Sequence, residues 1–396
     1  MAETTLPASA VTSIRWRLII PLFLIITLDG YDTISLGLAV PALAKAWGVA
    51  PAAFTLPLVL TNAGVVVGYL ACGRLVPRYG ARNVIAAGTL LFAVATALTA
   101  LTSTIPVLSV VRLITGVGLG LALPTAITLA TQEAPERRRQ TVAVFVAMGL
   151  SAGATIGGLT GRFIVPLGWQ AIFWVGAVIP LVLIPLLLTV KVTPRPGTAQ
   201  APSVAGSLFR DGNTVRTALL WAFAFLIFTT YYAFNSWLPT LLLDYGFTPA
   251  LAPLGATALG VGGIVGGLLL IMLSLRMPVT RILTWSSLLA AVLALLAGSG
   301  LIGGEAPLLV VFGGVACGLI AGMTGQAALA VSLYPPASRT TAVGYAAAVG
   351  RVGSVIGPAV GGALIAAGQG AQTFVLVAVV PVLVAGGVVA LLGRRN

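Results

Sequence analysis

Four charged residues interrupt runs that are otherwise apolar: Asp29, Asp32, Arg112 and Arg351. The two acids belong to Asp29-Gly30-Tyr31-Asp32, in the middle of an apolar stretch that begins near Leu18 and continues to Val40. Three residues apart on a helix, they fall on one face. A charge near the bilayer centre costs about 2.5–3.5 kcal/mol on insertion scales, so such groups face a bundle interior or a watery path. Either the acids form a proton or ion site in a transport pathway, or they make a structural pair with an arginine of a neighbouring helix.

Arginine carries a planar, permanently charged fork that takes a carboxylate through two parallel bonds. Arg351 is therefore a candidate for the carboxylate of an anionic guest, the alternative being an aspartate partner. Arg112 reads as the partner of Asp29 or Asp32, released when a guest or a movement separates them. A carboxylate that alternates between a desolvated setting and an arginine can load and release a proton. With His 0 in the chain, coupling must use acids, and the membrane-embedded ones are Asp29 and Asp32. Asp29, Asp32 and Arg112 are thus the proton-coupling candidates.

Depth arithmetic tests whether these groups can meet. At ~1.5 Å rise per residue, Asp29 lies roughly 18 Å from Arg17, and Arg351 roughly 18 Å from Arg339. Arg112, counted from the opposite face near Ile105, lies about 10 Å in. In a hydrocarbon core about 30 Å thick these depths agree to about a helical turn. All four charges can share one level.

The elements that must position them are membrane helices. Of 396 residues, 59% are hydrophobic and 7% charged, and mean hydropathy is +1.09. A soluble domain carries about 25% charged residues, so this chain cannot present an ordinary wet surface. Apolar runs bounded by charges or turn residues give twelve spans of about 20 residues. They fall near 18–43, 53–72, 83–101, 106–130, 141–160 and 170–190, then 217–240, 250–273, 281–300, 306–330, 341–365 and 373–392. The 48 glycines and the alanine-rich runs fit close helix packing. Histidine is absent and the two cysteines, Cys72 and Cys317, sit in apolar runs, so no metal, disulfide or cofactor is expected.

Placing the basic residues sets the orientation. With the N-terminus inside, cytoplasmic segments hold Arg15, Arg17, Arg74, Arg78, Arg82, Arg137, Arg138, Arg139, Lys191, Arg195, Arg210, Arg216, Arg276, Arg281, Arg339, Arg394 and Arg395. Outer segments hold Lys45 and Arg162. Such a bias is the positive-inside pattern, so the net charge of +13 reflects topology and an anionic leaflet rather than nucleic acid. Both termini are expected in the cytoplasm of a bacterial inner membrane. The first apolar run is too long for a cleavable signal and is read as a retained span.

A Pro-, Gly- and Ser-rich linker divides the chain into a tail at 1–17, a first bundle at 18–190, a linker at 191–216, a second bundle at 217–392 and a tail at 393–396. The halves repeat weakly: Pro135-Glu136-Arg137-Arg138 with Val142 and Gly149 matches Pro336-Ala337-Ser338-Arg339 with Val343 and Gly350. Two repeating six-span halves are the sequence form of a rocking transporter, with its site between the halves near mid-membrane.

Gly73-Arg74-Leu75-Val76-Pro77-Arg78-Tyr79-Gly80-Ala81-Arg82 resembles the loop between spans 2 and 3 of the major facilitator superfamily. That pattern usually has an acid where this chain has Pro77, so the interlock it implies lacks its carboxylate here. Within the superfamily the chain resembles the aromatic acid:proton symporters: Asp29 to Asp32 is similar to their span 1 signature, and Ser236-Trp237-Leu238-Pro239 to the end of their span 7. Arg112 through Pro124 resembles their span 4, and Gly350-Arg351-Val352-Gly353 with Gly357-Pro358 their span 11. The resemblance implies an all-α membrane protein of twelve helices in two pseudo-symmetric six-helix bundles, not an enzyme. It further implies proton-driven import of an aromatic carboxylate by alternating access, the protein acting as a monomer in the lipid bilayer.

A ring-bearing acid needs aromatic faces and a few polar anchors. Tyr231, Tyr232, Asn235 and Tyr345 are candidates to supply them, with Asn62 and Gln326 as polar groups in apolar surroundings. Packing, interfacial anchoring or a bond to a neighbouring helix is the plain alternative for each. Arg74, Arg78 and Arg82, with Glu133, Glu136 and Arg138 in the 133–139 charge cluster, are candidate gates on the cytoplasmic side, or else solvated loop charges. Related acids such as sugar acids remain open as substrates. An exporter reading is weakened because Gly149, Gly153, Gly157 and Gly158 lack the proline that exporters of this superfamily usually show in span 5. Gly149-Leu150-Ser151-Ala152-Gly153 fits a nucleophile-elbow pattern, but no histidine exists to serve it. Gly116, Gly118 and Gly120 follow no strand and imply no dinucleotide site.

Overall fold

A computed structural model describes residues 14–189, 208 and 214–394. The tail before Ile14, most of the 191–216 linker with Lys191, Arg195 and Arg210, and the last two residues with Arg395 lie outside the described residues. Among the described residues, twelve helices are long and apolar enough to cross a membrane. They are α1 Trp16–Trp47, α2 Thr55–Tyr79, α3 Ala81–Thr99, α4 Ile105–Gln132, α5 Arg139–Ile164 and α6 Trp169–Thr189. The second set is α7 Thr214–Asp244, α8 Leu254–Ser274, α9 Val279–Gly298, α10 Glu305–Leu333, α11 Pro336–Ala366 and α12 Ala371–Arg394. No strand occurs among the described residues. Hydrocarbon offers no partner for backbone polar groups, so a spanning segment must satisfy its own, and a helix does that internally.

Most helices overrun the apolar spans read from the sequence. The largest overrun bears on the Gly73-to-Arg82 segment, expected as a loop. Here α2 stays helical through Pro77 to Tyr79, and the turn into α3 is made by Gly80 alone, at φ +81°. A side chain would strain that conformation. Pro77 removes the N–H that would bond the Gly73 carbonyl, but both residues are exposed beyond the apolar span, where water satisfies the carbonyl.

Helix pairing shows two lobes. In the first, α1 packs on α5, α2 on α4, and α3 on α4 and α6. In the second, α7 packs on α11, α8 on α10, and α9 on α10 and α12. Each pairing recurs with both helix positions advanced by six, as a duplicated unit requires. The lobes meet through α5 with α8 and α11 with α2, the same pair seen from either lobe, and through α1 with α7.

The close backbone approaches in these meetings lie toward the end of the bundle opposite the termini, while Tyr69 of α2 and Arg351 of α11 touch at mid-length. Thr257 near the start of α8 donates to the Thr155 carbonyl in the later half of α5. A Cβ on Gly362 near the end of α11 would strike Thr55 at the start of α2. A Cβ on Gly37 of α1 would strike the Ser236 carbonyl of α7. The lobes are therefore in close backbone contact at that far end. Large apolar side chains such as Leu70, Val182, Met272 and Val310 face outward, which suits a lipid surround.

Candidate functional site

The stretch Asp29-Gly30-Tyr31-Asp32 sends four residues in four directions, about 100° apart. Gly30 lies against the α5 backbone: a Cβ there would overlap Leu150. Gly149 and Gly153 of α5 answer with the same economy toward α1. The Tyr31 hydroxyl donates to the Ile172 carbonyl of α6 at 3.0 Å. Asp32 turns to α4 and α3, and Asp29 turns to a cavity between the lobes. The i, i+3 spacing thus does not give the two acids a common neighbourhood.

Asp32 and Arg112 form an ion pair, Oδ2 to Nη2 at 3.1 Å, and both side chains are 0% exposed. The Thr96 hydroxyl donates to Asp32 Oδ1 at 2.8 Å, and Arg112 Nε donates to Thr61 Oγ1 at 3.2 Å. Four helices, α1 to α4, meet in this cluster. The glycines at 116, 118 and 120 make it possible, because they bring the α4 backbone onto Gly64 and Gly68 of α2 and Gly88 of α3. Added side chains at these positions would collide with backbone.

The cavity holds about 510 Å³ of empty space including its open mouth. Asp29, Asn62, Tyr69, Arg112, Tyr232, Ser236 and Arg351 supply its polar wall, with Leu36, Leu58, Val65, Leu119, Leu123 and Leu150 as the apolar part. Asp29 is 4% exposed and accepts a hydrogen bond from Thr33 at 3.3 Å. No ion pair forms at Asp29 or Arg351 among the described residues. The Arg351 fork is held by two phenols instead. Nη1 donates to Tyr232 at 3.1 Å, and Nη2 donates to Tyr69 at 2.6 Å, with the guanidinium carbon 4.5 Å from the centre of the Tyr69 ring. Tyr232 belongs to the same lobe as Arg351; Tyr69 reaches across from the other.

Other expected site residues are placed elsewhere. Asn62 lines the cavity but donates its amide to the Leu58 carbonyl of its own helix at 3.0 Å. Tyr231 is buried edge-on against Tyr232, and Asn235 is buried where α7 meets α1. Gln326 is buried on α10 and does not line the cavity. Tyr345 shares the exposed stripe of Val352, Ile356 and Val360 on α11 and stacks on Trp221, so it faces away from the cavity. Tyr69 was not among the expected residues, since one tyrosine in Val-Gly-Tyr-Leu looks like packing until α11 is set beside it.

The expected cytoplasmic charge cluster also differs. Glu133 does not join the 137–139 arginines; it pairs with Arg15 at 2.6 Å, tying the end of α4 to the start of α1. Arg82 donates to the Leu188 carbonyl of α6 at 3.2 Å, and the Arg78 guanidinium lies 5.3 Å from the Tyr79 ring. Arg74, Glu136 and Arg138 are exposed. These contacts fall within the first lobe. In the state described, they brace that lobe.

Residues 22–326 match the model of the Major Facilitator Superfamily. The chain belongs to that superfamily. This major facilitator protein is 34% identical over its whole length to the 3-(3-hydroxy-phenyl)propionate transporter of Escherichia coli, covering 98% of it. It is 28% identical to the 4-hydroxybenzoate transporter PcaK of Pseudomonas aeruginosa, over 98% of this chain and 94% of that one. Among solved structures, a bacterial homolog of the human lysosomal transporter Spinster, inward-facing and occupied, superposes with a TM-score of 0.78 at 16% identity. That likeness, covering 97% of each chain, is one of fold. The protein is a multi-pass membrane transporter rather than an enzyme.

Proposed function

We propose that the transporter imports an aromatic carboxylate together with a proton across the bacterial inner membrane, with both termini in the cytoplasm. One observation carries the reading: of the two intramembrane arginines, Arg112 is neutralised by Asp32, whereas Arg351 lines the cavity with only neutral phenols in its fork. A cation whose fork touches no carboxylate, in a low-dielectric cavity, favours an anionic guest. The leucines and Val65 around it suit the faces of a ring, and relatives named for hydroxyphenylpropionate and hydroxybenzoate support that choice. In this orientation the closed far end is periplasmic, and the cavity opens toward the cytoplasm.

Asp29 carries the proton in this scheme. It borders the cavity and forms no ion pair, so it is open to a guest and to a proton from the cavity. Asp32, itself fully buried and paired with Arg112 at the edge of the cavity, holds the first lobe together. Binding of the guest's carboxylate at Arg351 and of a proton at Asp29 leaves the cavity near neutrality, the condition for moving it past an apolar seam.

The test is uptake of labelled 3-(3-hydroxyphenyl)propionate and 4-hydroxybenzoate into cells and vesicles, with and without a protonophore. Accumulation that collapses on uncoupling is expected, and Arg351→Lys should raise KM about tenfold through loss of the fork. Uptake indifferent to the proton gradient would remove the coupling. An unaltered KM in Arg351→Lys would remove the anion site.

A further inference from the structure

Asp29 and Arg351 line one cavity with opposite charges, yet they do not form an ion pair. In surroundings of low dielectric, two such groups attract strongly, and a flexible arginine would ordinarily close on the acid. Something holds it back. Resting on the functional reading above, we propose that Tyr69 is a positioning residue that keeps Arg351 away from Asp29, so that one stays free for a carboxylate and the other for a proton.

The geometry gives Tyr69 two grips. Its hydroxyl accepts from Nη2 at 2.6 Å, and its ring lies under the guanidinium with 4.5 Å from carbon to centroid. Tyr232 holds the other nitrogen at 3.1 Å from within Arg351's own lobe. Because Tyr69 is on α2 and Arg351 on α11, the first grip spans the lobes and lasts only while those helices stay together. Both phenols are neutral, so they fix the cation without cancelling its charge. A collapse of Arg351 onto Asp29 would cancel both charges and leave neither an anion site nor an acid free to titrate.

The other groups around Asp29 do not supply this restraint. On its own helix are Tyr31, bonded to the Ile172 carbonyl, and Asp32, neutralised by Arg112 of α4. Of α5, Leu150 lines the cavity and brings no titratable group, and α7 contributes Tyr232. Arg351 is the remaining cation on that wall.

The experiment measures equilibrium binding of labelled 3-(3-hydroxyphenyl)propionate to the purified full-length transporter across a pH series. It uses wild type, Tyr69→Phe, Tyr69→Leu, Arg351→Lys and Asp29→Asn, and Asp29→Asn combined with each Tyr69 variant. Loss of ring and hydroxyl should weaken binding about tenfold in Tyr69→Leu, and loss of the hydroxyl alone a few-fold in Tyr69→Phe. The pH at which affinity changes should move to lower pH in both, because a carboxylate drawn into an ion pair keeps its charge longer. Asp29→Asn should abolish that pH dependence with or without Tyr69. Should Tyr69→Leu fail to fold, Tyr69→Phe carries the measurement alone. Unchanged affinity and pH profile in the Tyr69 variants, with Arg351→Lys still impaired, would overturn the positioning role and leave the functional reading intact. Unimpaired binding in Arg351→Lys would overturn the functional reading itself.

Discussion

Asparagine at position 29 keeps the size of the aspartate and an acceptor for Thr33, but it cannot carry a proton. Asp29→Asn should therefore abolish accumulation driven by a proton gradient while exchange of labelled for unlabelled acid continues. Exchange and accumulation lost together would point to a structural role instead. Asp32 predicts the opposite pattern. Removing it strands a fully buried guanidinium, and breaking a buried pair from one side costs about 3–5 kcal/mol. Asp32→Ala should lower the thermal unfolding temperature sharply, whereas Asp32→Leu with Arg112→Met should recover much of the loss. Equal destabilisation by the single and double changes would contradict the strut.

At the scale of elements, the far-end seam is built from small residues that let backbones touch. A Cβ on Gly158 of α5 would run into the Thr257 backbone of α8, and one on Gly260 would meet Ser151 and Thr155. A hydrogen-bonded backbone cannot give way as a flexible side chain can. Gly158→Val should accordingly wedge α5 from α8 and favour the state open at the far end. A cysteine at Thr55, with Cys72 and Cys317 replaced, then reports the change, since Thr55 is pressed against Gly362 across the same seam. Faster labelling by an impermeant maleimide is the expected result; an unchanged rate would place the hinge elsewhere.

For the whole molecule, the balance between the two openings depends on what ties the lobes at each end. The far end has helix-to-helix packing on both flanks, α5 with α8 and α2 with α11. At the end that carries the termini, Glu133 and Arg82 bond within the first lobe, and Pro77 stands exposed where the superfamily pattern usually has an acid. Pro77→Asp should add a carboxylate able to reach the second lobe when that end closes. The same Thr55 cysteine should then label faster, and a rate equal to the parent's would show that the acid has no partner.

Much of this protein was legible in one dimension. Span number follows from hydropathy, and that Asp29, Arg112 and Arg351 could meet follows from a constant rise per residue, because a bilayer constrains the chain mainly along its normal. Direction around each helix was not legible. The 60° or so between positions 29 and 32 sufficed to send one acid to a cavity and the other to a buried ion pair, since the outcome depended on which neighbour lay on each side. Tyr345 met Trp221 on an exposed stripe and Tyr69 met Arg351, although both are lone tyrosines in apolar helices. Glu133 passed over the arginines beside it for Arg15, 118 residues away, because α1 begins where α4 ends. The sequence alone determined that charges gather at one level within a membrane bundle. Only the packing of helices decided which of them pair and which stay free, because pairing requires approach in the membrane plane, and glycine contacts set that approach.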